Sequence, residues 1–245
     1  GLAIINISDP TNPGTPVYMD TSGNARGISV VGDYAFIADG SSGLAIIDVS
    51  NPTNPGSPVY KDTSGPGGAL DIKIVGNYAY IANSETGLAI IDISDPTSLG
   101  NPIYKDTEGI AYGIDIAGNY AYVADYLHGL SIIDVSDPTN PGTPVYKDTD
   151  GAARDVTVVG NYAYVGDGAS GLAIIDISDP TNPGSLVYMD TNADAQGVVV
   201  VGNYAYLADD TQGLAIIDIS DPTSPGSPVN KKTSGAAWGV TVVGN

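Results

Sequence analysis

The chain has 245 residues, with 8 lysines and arginines against 28 aspartates and glutamates, and a formal net charge of −20. It has no cysteine and a single histidine, His128, which excludes disulfide frameworks, thiol nucleophiles and cysteine-based metal sites. The negative charge would repel nucleic-acid phosphates, and no apolar run approaches the roughly 20 residues of a membrane-spanning helix. We therefore expect no nucleic-acid partner and no membrane insertion within this segment.

A repeated string divides the chain into units. Gly-Leu-Ala-Ile-Ile, or Gly-Leu-Ser-Ile-Ile, begins at Gly1, Gly43, Gly87, Gly129, Gly171 and Gly213, at intervals of 42 to 44 residues. The sequence opens inside a repeat, with predicted strands over residues 2–7 and 17–21. Five complete repeats follow, and one predicted strand over residues 238–243 closes the array. Within each repeat the strands are named a to d, so the first two are strands c and d and the last is a strand a.

The third complete repeat illustrates the pattern of strands. Strand a is predicted over residues 112–117 and is followed by the two-residue turn Gly118-Asn119. Strand b is predicted over 120–125, strand c over 130–135 after a three-residue loop, and strand d over 145–149 after a proline-rich turn. Four short strands in about 42 residues, joined by Gly-Asn hairpins, are typical of a β-propeller blade. The sequence therefore predicts an all-β fold, a β-propeller of four-stranded blades.

The paired isoleucines of strand c are the predicted core. Successive side chains of a strand point to opposite faces, and both faces of a blade are covered by its neighbours. Both members of each pair should therefore be buried. The pairs of the complete repeats are Ile46 and Ile47, Ile90 and Ile91, Ile132 and Ile133, Ile174 and Ile175, and Ile216 and Ile217.

The two ends of the chain predict a sixth blade. The final strand a and the first strands c and d would form one blade that has no strand b of its own. An interior gap of this kind leaves two rows of backbone groups unpaired, which is costly. We therefore expect residues 1–245 to form a single β-propeller domain within a longer chain, unless a partner supplies the strand. The sequence leaves open whether further blades lie beyond either end.

The residues Leu130-Ser-Ile-Ile-Asp-Val-Ser-Asp-Pro and their five counterparts resemble the LVIVD repeat, a motif of β-propeller surface proteins of archaea and bacteria. The resemblance extends over the whole chain through six copies. It implies the propeller fold and an extracellular or cell-surface location. It implies no defined chemistry.

One position varies while its surroundings stay constant. Six residues follow a constant alanine at the entrance to strand a: Arg26, Leu70, Tyr112, Arg154, Gln196 and Trp238. Both arginines and the only tryptophan of the protein occupy this position, which in a propeller rings one mouth of the central channel. This pattern predicts a surface that binds other surface proteins, copies of the chain or glycans. The predicted binding residues are Arg26, Tyr112, Arg154 and Trp238, together with Tyr126 and His128 of a b–c loop. The alternative is that the residue at this exposed position varies by neutral sequence drift and has no binding role.

Most aspartates recur at the same positions in every repeat, which favours a structural role in turns and backbone hydrogen bonds. Asp71 and Asp155 replace the usual glycine near the predicted mouth and are weak candidates for a calcium site. No Asp-x-Asp-x-Asp spacing supports calcium further. No residue is assigned a catalytic role, and apart from calcium no cofactor is expected.

Two classes of function remain. The first is a non-enzymatic extracellular or cell-surface propeller, a structural, adhesive or ligand-binding component of a surface layer, sheath, filament or adhesin. The alternative is a calcium-dependent hydrolase or lactonase with its site at the channel mouth. An enzyme should gather several acids or amides around one metal, whereas a binding module should present aromatic residues and arginine. The sequence favours the binding module.

Overall fold

The computed structural model describes residues 1–63, 65 and 67–243. All of its regular structure is β, and the chain divides into two compact units, Gly1–Tyr104 and Lys105–Asn245. No helix of the described residues is long and apolar enough to cross a membrane. The all-β, blade-based fold class predicted from the sequence is confirmed. The expectation of a single domain over residues 1–245 stays a prediction.

The first unit contains the opening two-stranded sheet and two four-stranded sheets. The opening sheet pairs β1 (Leu2–Ile4) with β2 (Val17–Met19). The next sheet has the order β3 (Ile28–Val31), β4 (Tyr34–Ala38), β5 (Leu44–Asp48) and β6 (Val59–Lys61). The last sheet of this unit has the order β7 (Asp71–Val75), β8 (Tyr78–Ala82), β9 (Leu88–Asp92) and β10 (Ile103–Lys105). Each sheet follows chain order, so these strands correspond to the predicted strands a to d.

The second unit contains three four-stranded sheets in the same order. The first consists of β11 (Gly113–Ala117), β12 (Tyr120–Ala124), β13 (Leu130–Asp134) and β14 (Val145–Lys147). The second consists of β15 (Asp155–Val159), β16 (Tyr162–Gly166), β17 (Leu172–Asp176) and β18 (Leu186–Met189). The third consists of β19 (Gly197–Val201), β20 (Tyr204–Asp209), β21 (Gly213–Asp218) and β22 (Val229–Lys231). Neighbouring strands within these sheets are antiparallel.

The a–b hairpins have the geometry that the Gly-Asn dipeptide predicts. Gly118 has a φ of 58°, and the glycines at the equivalent positions of the other repeats lie between 57° and 60°. A positive φ at the first central residue suits the right-handed twist of the flanking strands. The turn fixes the register that places Tyr120 opposite Ala117 and, on the other side of β12, opposite Asp134.

Each sheet buries one face against the next sheet of its unit. In the second unit, Tyr122 and Ile132 pack with Val156 and Ile175 of the following sheet. Tyr164 and Ile174 repeat that contact with Val198 and Ile217 one sheet further along. A sheet that lies between two others of its unit is covered on both faces, so its strand c can bury two isoleucines in succession.

Nine of the ten predicted core isoleucines are buried, and Ile216 is the exception. It is half-buried, together with Leu214 on the same face of β21. No strand of the described chain follows β22 to cover that face. The prediction of burial was therefore wrong for Ile216, because its burial depends on a following sheet.

The predicted strand over residues 238–243 is also wrong. These residues have no regular structure, and Trp238 is 69% exposed. A strand is held by its ladder of hydrogen bonds, and no hairpin partner for residues 238–243 exists in the described part of the chain. At the other end, β1 and β2 form a sheet of two strands. The joining of both ends in one sixth blade stays a prediction.

Candidate functional site

The b–c loop of one repeat is hydrogen-bonded to the start of the next repeat. Its first residue forms an isolated bridge with the constant alanine that precedes the next strand a, as in Tyr126 with Ala153. The amide of Tyr126 donates to the carbonyl of Ala153 at 3.1 Å, and the amide of Ala153 donates back at 3.0 Å. The other bridges are Gly40 with Ala69, Gly168 with Ala195, and Asp210 with Ala237. These bridges bring the variable b–c loop residues beside the variable residues at the entrance to strand a.

Tyr126 occupies a backbone conformation that tyrosine rarely adopts. Its φ is 51°, and the equivalent Gly40 and Gly168 have φ values of 56° and 55°. Glycine adopts this left-handed region without steric cost, whereas a bulky side chain is strained there. The other equivalents, Ser84 and Asp210, have φ values of 50° and 37°, so every complete repeat has a left-handed residue here, and Tyr126 is the bulkiest side chain at this position.

The strained tyrosine lies at the centre of an aromatic and cationic cluster. The rings of Tyr112 and Tyr126 have centroids 5.4 Å apart at an interplanar angle of 38°. The guanidinium carbon of Arg154 lies 5.9 Å from the centroid of the Tyr126 ring, within the range of a cation–π contact. We call Tyr112, Tyr126 and Arg154 the Tyr–Arg cluster. Three residues from two successive repeats that the sequence predicted for one surface are therefore in contact.

Arg154 is placed by its backbone and has unused hydrogen-bonding capacity. Its amide donates to the carbonyl of Gly166 at 2.8 Å, which fixes the start of β15. Its Nε is buried and has no hydrogen-bond partner among the described residues. A buried donor without an acceptor costs free energy, and a guanidinium offers planar donors to carboxylates, carbonyls and hydroxyls.

The remaining predicted binding residues are placed differently. His128 is exposed on the same loop as Tyr126, and its amide donates to the carbonyl of Asp125 at 3.0 Å. Trp238 follows the bridged Ala237 and is exposed, at the b–c loop end of the second unit. Arg26 belongs to the first unit, where it is exposed and lines a cavity of about 220 Å³ with Leu2 and Ile28. Among the described residues, no aromatic or cation–π contact joins Trp238 to the Tyr–Arg cluster.

The two weak calcium candidates start strands a. Asp155 accepts hydrogen bonds from the amides of Val156 and Val198, both at 2.9 Å, so it ties β15 to β19. Asp71 lies against Gly27 of the preceding sheet, where an added Cβ would approach its Oδ1 to 2.8 Å. Within the described residues, no group of three or more His, Asp or Glu side chains could hold a metal ion. Calcium binding stays a prediction.

The sequence predicts the same structural role for Asp125 as for the other template aspartates, and gives no sign of its electrostatic environment. Its carboxyl is buried and accepts hydrogen bonds from Thr107 at 2.7 Å and Ser131 at 3.0 Å. Burial raises the pKa of Asp125 to about 6, although these hydrogen bonds and the nearby His128 oppose the shift. Burial also raises the pKa of the equivalent Asp167 and Asp209.

The structural role predicted for the exposed template aspartates is confirmed. Asp134 accepts from the amide of Ser136 at 2.8 Å, and Asp137 accepts from both the amide and the hydroxyl of Thr139. The hydroxyl and amide of Ser136 lower the pKa of Asp134, and the hydroxyl and amide of Thr139 lower the pKa of Asp137. The buried set bonds across a repeat boundary, with Thr149 donating to Asp167 and Thr191 to Asp209, each pair 18 residues apart. That constant spacing is visible in the sequence and could have revealed the buried pairs.

The fold and the repeated site geometry define an acidic array of propeller blades. The profile of the LVIVD repeat matches residues 1–21, 22–58, 66–101, 108–145, 150–191 and 192–230. The chain belongs to the LVIVD-repeat family, as the sequence resemblance indicated. No curated protein matches the chain.

Solved structures with a similar fold have distant sequences. The periplasmic gluconolactonase PpgL of Pseudomonas aeruginosa matches with a TM-score of 0.69 and 12% identity, over 84% of this chain and 69% of that one. BamB from Moraxella catarrhalis matches at 0.63 and 17% identity, over 94% and 67%. The computationally designed Ika8 protein matches at 0.69 and 9% identity, over 92% and 67%. At these identities the likeness supports the β-propeller fold and nothing about activity.

Proposed function

We propose that the protein is a non-enzymatic, extracellular or cell-surface β-propeller that acts as a structural, adhesive or ligand-binding module. The Tyr–Arg cluster is its binding site, with His128 and Trp238 on the same end of the second unit. The contact of Tyr126 with Tyr112 and Arg154 is the observation that carries the proposal. A strained aromatic residue and a buried donor without a partner are features of a surface adapted for binding.

The chemistry of the cluster favours an uncharged, oxygen-rich ligand. Tyrosine rings offer flat apolar faces for the C–H surface of a sugar, and the guanidinium offers donors for hydroxyl or carbonyl oxygens. A protein with a net charge of −20 repels polyanions at long range. A neutral glycan or a neighbouring surface protein, including a second copy of the chain, therefore suits the site better than an acidic polymer.

The extracellular or surface location is supported by the resemblance to the LVIVD repeat, which implies a surface setting, and by the strongly acidic composition. The similarly folded gluconolactonase is described as periplasmic, which agrees with a place outside the cytoplasm. The alternative of a calcium-dependent hydrolase or lactonase rests on shared fold alone.

Binding to a panel of neutral oligosaccharides, and self-association measured by sedimentation, test the proposal. Tyr112→Ala together with Trp238→Ala should abolish binding and leave thermal stability nearly intact, because Trp238 is exposed and Tyr112 is half-buried. Tyr204→Ala is the matched control. Tyr204 is an exposed tyrosine of the same unit at the a–b turn end of β20, so its loss should leave binding unchanged.

Two results would contradict the proposal. If the double variant unfolds while binding per folded molecule is unaltered, the residues are part of the packing of the blades. If the protein hydrolyses members of an ester and lactone panel in a calcium-dependent manner, the enzyme alternative is correct.

A further inference from the structure

The chain contains one acceptor sequence for an N-linked sugar, Asn6-Ile7-Ser8, shortly after β1. Such an acceptor needs an asparagine, then any residue except proline, then a serine or threonine. The five sister repeats have an aspartate where Asn6 stands, and all of them keep the serine two residues later. A single exchange of the template aspartate for asparagine therefore completes the acceptor sequence.

Asn6 has the turn geometry of the template position. Its Oδ1 accepts a hydrogen bond from the amide of Ser8 at 2.9 Å, and its carbonyl accepts from the amide of Gly14 at 2.8 Å. Asp48 makes both bonds at the same distances, with Ser50 and Gly56. The first bond closes an Asx turn, which asparagine forms as well as aspartate does. The acceptor sequence therefore lies in a local turn whose bonds stay within residues 6–14.

The site is exposed because of its place in the template. Asn6 and Ser8 are exposed, and so are Asp48 and Ser50, their counterparts in a complete four-stranded sheet. The Asx turn engages Oδ1 of Asn6, so its Nδ2, the atom that receives a sugar, is not used by that bond. A sugar attached there would extend into solvent without displacing a core side chain.

We infer that Asn6 is an N-glycosylation site, modified by an oligosaccharyltransferase with an oligosaccharide carried on a lipid diphosphate. In the transfer, Nδ2 attacks the anomeric carbon of the first sugar, and the bond from that carbon to the diphosphate oxygen breaks. The lipid diphosphate leaves, and Nδ2 gives up one proton as the carbon–nitrogen bond forms. The inference rests on the extracellular or surface location proposed above, because an N-linked sugar of this kind belongs to secreted and surface proteins.

A second asparagine provides a comparison within the same molecule. Asn51 also forms an Asx turn, in which its Oδ1 accepts from the amide of Thr53 at 3.2 Å and from the Thr53 hydroxyl at 2.8 Å. The hydroxyl residue has the correct spacing, but Pro52 lies between the two and excludes this sequence as an acceptor. A sugar at Asn6 without one at Asn51 would therefore show recognition of the acceptor sequence.

Incubation of the folded full chain with purified oligosaccharyltransferase and a lipid-linked oligosaccharide tests the inference. After trypsin digestion, the peptide of residues 1–26 should gain the mass of the oligosaccharide. The peptide of residues 27–61, which contains Asn51, should keep its mass. Asn6→Gln and, separately, Ser8→Ala should each abolish the gain, and Ser8→Thr should preserve it.

The sister repeat offers a matched control variant. Asp48→Asn gives the next turn the same acceptor pattern, with Val49 and Ser50 unchanged. The peptide of residues 27–61 should then gain the same mass, because this turn has the same hydrogen bonds and exposure. Circular dichroism verifies the fold of each variant.

Three outcomes of this experiment overturn the inference. The first is a folded chain that stays unmodified while a peptide of residues 2–12 is glycosylated, because the fold then withholds the asparagine. The second is that neither the chain nor the peptide is glycosylated, and the third is a mass gain that persists in Asn6→Gln.

Labelling of intact cells with a membrane-impermeant amine reagent tests the location separately. A chain that is labelled at the surface and carries the sugar at Asn6 supports both the location and the site. A chain that is labelled at the surface with an unmodified Asn6 overturns this inference and leaves the proposed function standing.

Discussion

Replacement of Asp125 by asparagine should remove a pH-dependent loss of stability. The carboxyl is buried and its pKa is raised to about 6 from 3.8, mainly by burial. A carboxyl with a folded pKa above its unfolded value stabilises the fold fully below about pH 4, and that contribution is lost as the pH rises through about 6. Ionised Asp125 therefore destabilises the protein at neutral pH.

The magnitude follows from the shift. Each pKa unit corresponds to about 1.4 kcal/mol, so about two units set an upper bound near 3 kcal/mol. Partial solvent screening of the carboxylate reduces this, and we expect Asp125→Asn to raise the free energy of unfolding by about 1–2 kcal/mol at pH 7.5. The two proteins should differ little near pH 4, where the aspartate is protonated.

The chain contains its own precedent for the substitution. Asn83 occupies the equivalent position, where its Oδ1 accepts from Thr63 at 2.7 Å and its Nδ2 donates to the Thr63 carbonyl at 3.0 Å. An asparagine at position 125 can accept from Thr107 in the same way. The geometry of the site therefore need not change when the charge is removed.

Urea denaturation of both proteins at several pH values between 4 and 8 measures the effect. Asp134→Asn is the control with the opposite sign. Asp134 is exposed and its pKa is lowered by the hydroxyl and amide of Ser136, so its contribution is present above about pH 4 and lost as the pH falls. An Asp125→Asn variant that is destabilised equally at pH 5 and pH 7.5 would refute the assignment of a buried, partly protonated carboxyl.

Three further predictions test other parts of the structure. Ile132→Ala should cost about 2–5 kcal/mol because Ile132 is fully packed, and Ile216→Ala should cost clearly less because Ile216 is half-buried; equal losses in urea denaturation would contradict the role of the following sheet. Tyr126→Gly should relieve about 1–3 kcal/mol of backbone strain, so stability should hold or rise while ligand binding is lost; lower stability with intact binding would show that the tyrosine serves packing. Gly129→Ala should lower the thermal midpoint by several degrees, because Gly129 has a φ of 69° and the new Cβ would lie 2.4 Å from the carbonyl oxygen of Lys147; an unchanged midpoint would show that this loop adapts freely.

The sequence contains enough to predict the blades, because periodicity and turn chemistry are local. Gly118-Asn119 sets its hairpin whatever lies further along the chain, and the isoleucine pairs identify strand c. The burial of Ile216 in the last sheet and the strand over residues 238–243 were both predicted wrongly, and for the same reason. Both depend on a neighbouring strand or sheet, and a template copied from inner repeats assumes that this neighbour exists.

The candidate site was predictable in outline only. The repeat predicts that Tyr112 and Arg154 lie at the b–c loop end, and in the structure both contact Tyr126. Their contact depends on the bridge between Tyr126 and Ala153, which crosses a repeat boundary and leaves no local pattern. The constant spacing of 18 residues from a threonine marks the aspartates at the end of strand b in the sequence, but their burial, which raises the pKa of Asp125, is visible only in the structure.

The hydrogen bonds across repeat boundaries have a consequence for how such a chain can change in length. Thr107 bonds to Asp125 across 18 residues, and Thr149 bonds to Asp167 across the same distance. The Thr63–Asn83 pair spans 20 residues, so two extra residues are accommodated between them without loss of the bond. Each boundary thus joins the same two template positions. Duplication or deletion of one whole repeat within the array would join the same two template positions again, so genetic recombination between repeats can lengthen or shorten this protein in single blades while the threonine at each boundary keeps an aspartate or asparagine partner.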